Sequence, residues 1–321
     1  MQTQERTTFK TAFEQEVYEG LTAFPKYLPS KFFYDQKGDK LFQEIMALPE
    51  YYLTGCEYDI INANKEQFEN LFSTEAGFDL IELGAGDGKK TKLLLEHFVK
   101  NKVNFSYKPV DISADVLEEL EESVKSTWPS LDIETLQGTY IQVLDNISEY
   151  NQRKKIIMLL GSNIGNLTHE QAVDFLKSIQ ETMNVGDILF MGLDQKKSPA
   201  RILSAYKDSK GVTEAFNKNL LTRINRELEA DFDIESFTHW PTYNPETGTT
   251  KSFLVSQKQQ KVHINQLNLT VKFEAWESIH TEISQKYDDS TVSWLAKEAG
   301  LQIAAQFSDQ KGYFKDYILE K

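Results

Sequence analysis

Residues 78–88 read Phe-Asp-Leu-Ile-Glu-Leu-Gly-Ala-Gly-Asp-Gly, an apolar run ending at Leu83 and then glycine at 84, 86 and 88. A short apolar run closed by a glycine turn and followed by a helical pattern (TKLLLEHFVK, from Thr91) predicts a strand leading into a helix. The glycines let a ligand come close to the backbone at a helix N-terminus. The spacing is GxGxG, with Lys89 where the dinucleotide fingerprint carries its third glycine. Glu82 and Asp87 make the turn acidic. Both departures favour a sulfonium ligand, S-adenosylmethionine (SAM), over the pyrophosphate of NAD. The competing reading is a tight turn with no ligand.

Working outward, the pattern continues. Asn104–Val110 reads as a second strand, and Ser113 as the N-cap of a helix through Lys125. Leu131–Leu136 is a weaker third strand and Ile156–Leu160 a strong fourth. Thr168 caps a helix to about Met183, and Asp187–Gly192 is a fifth strand. Strands alternating with helices predict parallel pairing, helices on both faces and right-handed crossovers. Val292–Ala299 then reads as a helix. Leu301–Phe307 and Tyr313–Leu319 read as a closing strand pair, which a seven-stranded methyltransferase sheet has and a flavodoxin-like or NAD domain does not need.

Between these parts the alternation stops. Residues 195–289 read as a helical stretch, Arg201–Leu228, followed by antiparallel strands at Ser252–Val255 and His263–Phe273. The first 57 residues have no place in the alternation and group with this insertion. The expected fold is therefore α/β, a Rossmann-like seven-stranded class I methyltransferase sheet with a second, discontinuous α+β domain. The expected boundaries are 58–194 and 290–321 for the SAM-binding domain, 1–57 and 195–289 for the other.

Composition narrows the partners. The 321 residues carry 35 Lys+Arg against 49 Asp+Glu, a net charge of −14, so a phosphate-gripping basic face is not expected. The same balance disfavours docking on anionic lipid. Cys56 is the single cysteine, no Cys/His cluster has zinc-ligand spacing, and no metal is expected. The N-terminal stretch lacks an apolar signal core, and the apolar runs fall far short of the roughly 20 residues of a membrane span. The expectation is a cytoplasmic monomer acting on a small molecule, with no nucleic-acid or membrane partner.

Two further stretches bear on a site. Asp111 ends the second strand beside the glycine turn, where a carboxylate can accept both ribose hydroxyl protons. Its competing role is to cap the helix near Ser113. Gly161-Ser162-Asn163-Ile164-Gly165-Asn166 follows the fourth strand, on the same carboxyl-end side of the sheet as Gly84–Gly88. Asn166 offers one acceptor and one amide donor, suited to an amine and a carboxylate, although Asn beside glycine is also ordinary turn chemistry.

With these segments read, the chain resembles the histidine-specific, SAM-dependent methyltransferase family that makes hercynine for ergothioneine biosynthesis. The likeness rests on Lys31–Tyr52 (KFFYDQKGDKLFQEIMALPEYY), Ile81–Leu95 (IELGAGDGKKTKLLL), Pro109–Ser113 (PVDIS), Leu160–Leu167 (LGSNIGNL), Gly211–Phe232 and Ile279–Tyr287 (IHTEISQKY). The resemblance implies cofactor contacts at Gly84, Gly86, Lys92 and Asp111, with Tyr51 between cofactor and substrate. It implies that the second, discontinuous α+β domain is a substrate-binding domain. It implies that Tyr34, Asn166 and Tyr206 hold the amino acid's α-amino and carboxylate groups beside Gly161, and that Glu282 and Ser284 recognise the imidazole. Two positions depart from the family. Thr139 and Tyr140 stand where it has an acidic residue and Phe near the adenine, and Ser252 stands where it often has methionine beside the ring.

The residue types suit the chemistry. Methyl transfer to an amine is an in-line displacement, and holding both reactants in line supplies roughly 7–11 kcal/mol of the barrier. An α-amine titrates near pH ~8, so a strong base is not obligatory, and Asn and Tyr orient it without burying another charge. Thr281-Glu282-Ile283-Ser284 alternates like a strand, which puts Glu282 and Ser284 on one face. The expected reaction is trimethylation of the α-amino group of L-histidine. The alternatives are another amino acid or amine as acceptor, or a SAM-binding protein without turnover.

Overall fold

The computed structural model describes residues 9–150 and 152–321. In chain order, α1 (Ala12–Thr22), β1 (Lys26–Tyr27) and α2 (Gln36–Met46) lead into α3 (Leu53–Phe72). An alternation follows: β2 (Phe78–Leu83), α4 (Thr91–Lys100), β3 (Phe105–Asp111), α5 (Ala114–Thr127), β4 (Leu136–Gln137), α6 (Tyr140–Ile147), β5 (Lys154–Leu159), α7 (His169–Thr182) and β6 (Ile188–Asp194). Next come α8 (Pro199–Tyr206), α9 (Val212–Leu228), β7 (Phe237–Asn244), β8 (Thr249–Ser256), β9 (Gln260–Ile264), β10 (Leu269–Phe273) and β11 (Ser278–Gln285). The order is completed by α10 (Asp289–Glu298), β12 (Gln302–Ser308) and β13 (Phe314–Glu320).

Two compact units result. One comprises Leu53–Lys196 and Gln285–Lys321, the other the chain up to Tyr52 together with Lys197–Ser284. The first boundary lies five residues before the expected 57/58, because α3 is one continuous helix whose Phe68 and Phe72 pack on Phe190 of β6. The return lies five residues before the expected 289/290. Tyr287 already pairs with Gln195, and its N–H donates to the Asp194 carbonyl at 2.8 Å.

The larger unit is a seven-stranded sheet in the order β12-β13-β6-β5-β2-β3-β4. Its strands run parallel except that β13 is antiparallel to both β6 and β12. Every residue of β2 and β6 is buried, as a strand covered on both faces requires. Ile81, Leu83, Ile157, Leu159 and Leu189 pack under α6, α7 and α10; Leu80, Ile156, Met158 and Phe190 pack under α3, α4 and α5. Each such side chain contributes roughly 1.5–3 kcal/mol by leaving water. Thr168 caps α7 with a reciprocal Gln171 contact, and Ser113 caps α5. The third expected strand, Leu131–Leu136, is a correction: only Leu136–Gln137 pairs with β3, and Ile133 makes an isolated bridge to Tyr107. Asp132 and Glu134 exchange single backbone bonds with Tyr107 and take the place of a longer ladder.

The smaller unit holds a four-stranded sheet, β1-β11-β8-β7, and a separate β9–β10 hairpin. The expected helix Arg201–Leu228 is broken into α8 and α9. The Asp208 carboxylate accepts the N–H groups of Lys210, Val212 and Thr213, and Gly211 turns the chain at φ +72°. The expected strand His263–Phe273 is likewise two strands, separated by a turn in which Asn268 adopts φ +46°. Strand β7 escapes the periodicity reading because Pro241 interrupts it, which an edge strand tolerates. Phe216, Leu220, Leu221 and Ile224 of α9 join Phe13, Val17, Leu21 and Phe33 in this unit's core.

Candidate functional site

In the larger unit, the turn from β2 to α4 is built on left-handed glycines. Gly84 has φ +76°, and a Cβ there would stand 2.5 Å from the Tyr140 hydroxyl. Gly86 has φ +55°, yet a Cβ there would meet nothing within 4 Å, so this edge of the turn borders open space. Its N–H donates to Asp111 Oδ2 at 3.1 Å, and the Ser113 N–H donates to Asp111 Oδ1 at 3.1 Å. Two N–H donors fix the carboxylate at the end of β3, and each oxygen keeps a further lone pair. Asp111 thus ties the start of α5 to the glycine turn.

The acidic character expected of the turn is only half present. Glu82 lies under it, accepting from Thr91 Oγ1 and Tyr107 Oη, each at 2.5 Å. Burial raises its pKa to about 7, so it braces β2, α4 and β3 instead of lending the turn a full charge. Thr139 is exposed and caps α6 in a reciprocal box with Gln142. Tyr140 hydrogen-bonds Asn163, and burial around its hydroxyl raises its pKa.

The structure places the Lys92 ammonium between the glycine turn and α5. Its Nζ lies 3.1 Å from the Asp87 carbonyl and 3.0 Å from Ser123 Oγ on α5. The cation at the carboxyl ends of β2 and β5 is Lys90. It pairs with the wholly buried Glu57 of α3, and a Cβ on Gly161 would sit 3.3 Å from its Nζ. The Gly161 N–H donates to both Glu57 oxygens at 2.9 Å. Sequence reading missed Lys90 and Glu57. Lys89, Lys90 and Lys92 crowd one helix start, and only the three-dimensional phase of that start separates them. Beyond Gly161, residues Asn163–Asn166 form a 3-10 turn, and Ser162 Oγ just before it accepts the Asp194 N–H at 3.1 Å.

In the smaller unit, Tyr34 and Tyr51 flank Phe42, with ring centroids 5.6 and 6.3 Å from it, and Tyr34 lies 5.7 Å from Phe216. Arg223 Nη1 donates to the carbonyls of Phe32 and Tyr34 at 3.1 and 3.4 Å. Asp35 accepts from Asn219 and Arg226, both at 2.8 Å. The stretches Lys31–Tyr52 and Gly211–Phe232, far apart in sequence, are thus clasped together. Tyr206 is the buried last residue of α8. On β11, Glu282 and Ser284 alternate with Thr281 and Ile283. The buried Ser252 of β8 donates from Oγ to Glu282 Oε2 at 3.4 Å, and Thr281 Oγ1 stands 2.8 Å from Asn217 Oδ1. Phe42 and Phe216 carried no sequence signal beyond ordinary helix-core spacing.

Among the described residues no group of three or more His, Cys, Asp or Glu could hold a metal ion, and no helix is long and apolar enough to cross a membrane. A seven-stranded sheet with β13 reversed, a glycine turn after β2 and a carboxylate ending β3 define a class I SAM-dependent methyltransferase. More narrowly, the chain belongs to the family described as histidine-specific methyltransferase, SAM-dependent, whose profile matches residues 13–321. It is 36% identical over 304 residues to a histidine N-alpha-methyltransferase of Mycolicibacterium smegmatis, covering 94% of this chain and 93% of that protein. It is 28% identical over 301 residues to ergothioneine biosynthesis protein 1 of Schizosaccharomyces pombe, covering 92% of this chain and 39% of that protein. An L-tryptophan methyltransferase of Psilocybe serbica is 29% identical over 325 residues, covering 93% and 90%.

Proposed function

We propose that this enzyme methylates the α-amino nitrogen of L-histidine three times, giving its trimethylammonium betaine. The larger unit is then the SAM-binding domain and the smaller one the acceptor-binding domain. The observation that carries the acceptor is the Ser252–Glu282 contact with Ser284 on the same strand: a carboxylate of fixed orientation and a hydroxyl, suited to the two ring nitrogens of an imidazole. A site that pairs a substrate N–H rejects analogues lacking it by about 10⁴-fold.

SAM supplies an electrophilic methyl on a sulfonium. The fit to this chain rests on Asp111, whose spare lone pairs can accept ribose hydroxyls, and on the unobstructed flank of Gly86. Gly84, Gly161 and Lys90 would line the amino-acid end of the cofactor, with Lys90 replacing Lys92 as the cation. Thr139 and Tyr140 would stand at the adenine end. In the smaller unit Tyr34, Tyr51 and Tyr206 would supply neutral hydrogen bonds to the acceptor, which leave its amine uncharged and aimed, and in the larger unit Asn166 supplies a neutral amide of the same kind. Each of the first two transfers leaves an ammonium whose proton must reach water before the next can occur; the third leaves a quaternary nitrogen with no proton to lose.

We place the enzyme in the cytoplasm as a monomer without nucleic-acid or membrane partners; the net charge of −14 supports the lack of nucleic-acid and anionic-membrane partners, and the single Cys56 supports a reducing compartment. Incubation with SAM and L-histidine tests the reading by mass spectrometry. Products carrying one, two and then three added methyls are expected, and no product from histidine under any condition overturns it. A second acceptor is favoured by one observation: Ser252 makes a small, polar wall where a larger apolar side chain is usual. Competition between histidine and tryptophan, with both products quantified, decides between them.

A further inference from the structure

Asp316 of β13 is wholly buried, and neither carboxyl oxygen has a hydrogen-bond partner. A carboxylate left so would be costly in the protein interior. Its neighbour across the sheet is Gly192, and the missing side chain there makes a shared niche: a Cβ would lie 1.9 Å from Glu57 Oε1 and 3.0 Å from Asp316 Oδ1. Two buried acids therefore face the same flank of one glycine. They are not equivalent. Glu57 has Lys90 and the Gly161 N–H on its oxygens, so it is the acceptor of the pair.

We propose that Asp316 is a neutral carboxylic acid that shares its proton toward Glu57, and that the two form a positioning pair holding Lys90 and the Gly161 backbone where the cofactor's amino-acid end binds. The assignment of that end rests on the functional reading above; the protonation of Asp316 does not. Burial and the Glu57 charge both push the Asp316 pKa well above its ordinary value, and only Lys90 opposes them. One cation cannot neutralise two buried carboxylates, so one of the acids keeps its proton. The larger part of the consequence falls on Glu57. With its negative charge retained and a proton at its back, it can hold an ammonium and a backbone donor together without recruiting water.

Infrared spectroscopy of the full chain at neutral pH tests where the proton lies. The carbonyl band of an un-ionised carboxylic acid is expected, and its loss in Asp316→Asn is expected to identify the residue. A wild-type spectrum that Asp316→Asn leaves unchanged overturns the proposal. Calorimetric titration with SAM tests the positioning role. Glu57→Gln should weaken binding about tenfold or more, because it releases charge-assisted bonds. Asp316→Leu should do likewise, with Asp316→Asn, which keeps a neutral donor, recovering most of the affinity. Wild-type affinity in Glu57→Gln, or an Asp316→Asn loss as large as that of Asp316→Leu, overturns the role. Circular dichroism melts of each variant separate these effects from unfolding. A wild-type chain that shows the acid band but takes up no SAM overturns the functional reading while the proton stays on Asp316.

Discussion

The Gly86 N–H points at the Asp111 carboxylate, 3.1 Å from Oδ2, and joins the Gly84 and Ala85 N–H bonds to the Val110 carbonyl in tying the loop after β2 to the end of β3. Asp111→Asn keeps the shape but turns an amide toward two N–H donors. SAM affinity measured by calorimetry should fall about tenfold or more, while the melting temperature changes by only a few degrees. Unaltered affinity would remove Asp111 from the cofactor site.

The two lysines at the α4 start divide by geometry. Lys92 is satisfied by Asp87 and Ser123, whereas Lys90 meets Glu57 next to Gly161. Lys90→Ala should therefore raise the KM for SAM far more than Lys92→Ala. The reverse order would restore Lys92 as the cofactor's cation.

Glu282→Ala removes the carboxylate that Ser252 steadies. Histidine binding should weaken by about tenfold or more with SAM binding largely preserved. Equal loss of both would mean that Glu282 acts through the fold and not on the acceptor ring.

Glu82 gives a stability signature. Its pKa is about 7 in the folded chain against an ordinary value of 4.5, so the folded state binds more protons between those two pH values. By linkage the unfolding free energy then falls as pH rises from about 4.5 to about 7, by roughly 3 kcal/mol in total for this group. Denaturant titrations of wild type and Glu82→Gln across that window should show the slope in the first and a flatter profile in the second.

How far the sequence reveals all this differs by element. Strand β2 was readable because six buried residues end at a glycine turn, and Asp111 because it ends the next strand. The α8–α9 break was not, since Asp208 acts as a cap only once Gly211 turns the chain back on it. Lys92 rests on the family likeness alone, and Lys90 stayed hidden because residue type at a helix start says nothing of which way that start is rotated. Glu57 and Asp316 were silent for a plainer reason. They lie 259 positions apart, and what joins them is the absence of a side chain at Gly192.

That β13 slots between β6 and β12 also dictates how the polypeptide can mature. The edge of β6 stays unclosed while everything from Pro199 to Glu298 is made, and the last seven strand residues are what seal it. During synthesis a nascent chain carries an apolar, pairing-competent border for roughly a third of its translation, the situation in which an unpaired strand edge invites association between chains. Trimming the chain from Phe314 onward would remove both the seal and the acid that sits behind Glu57.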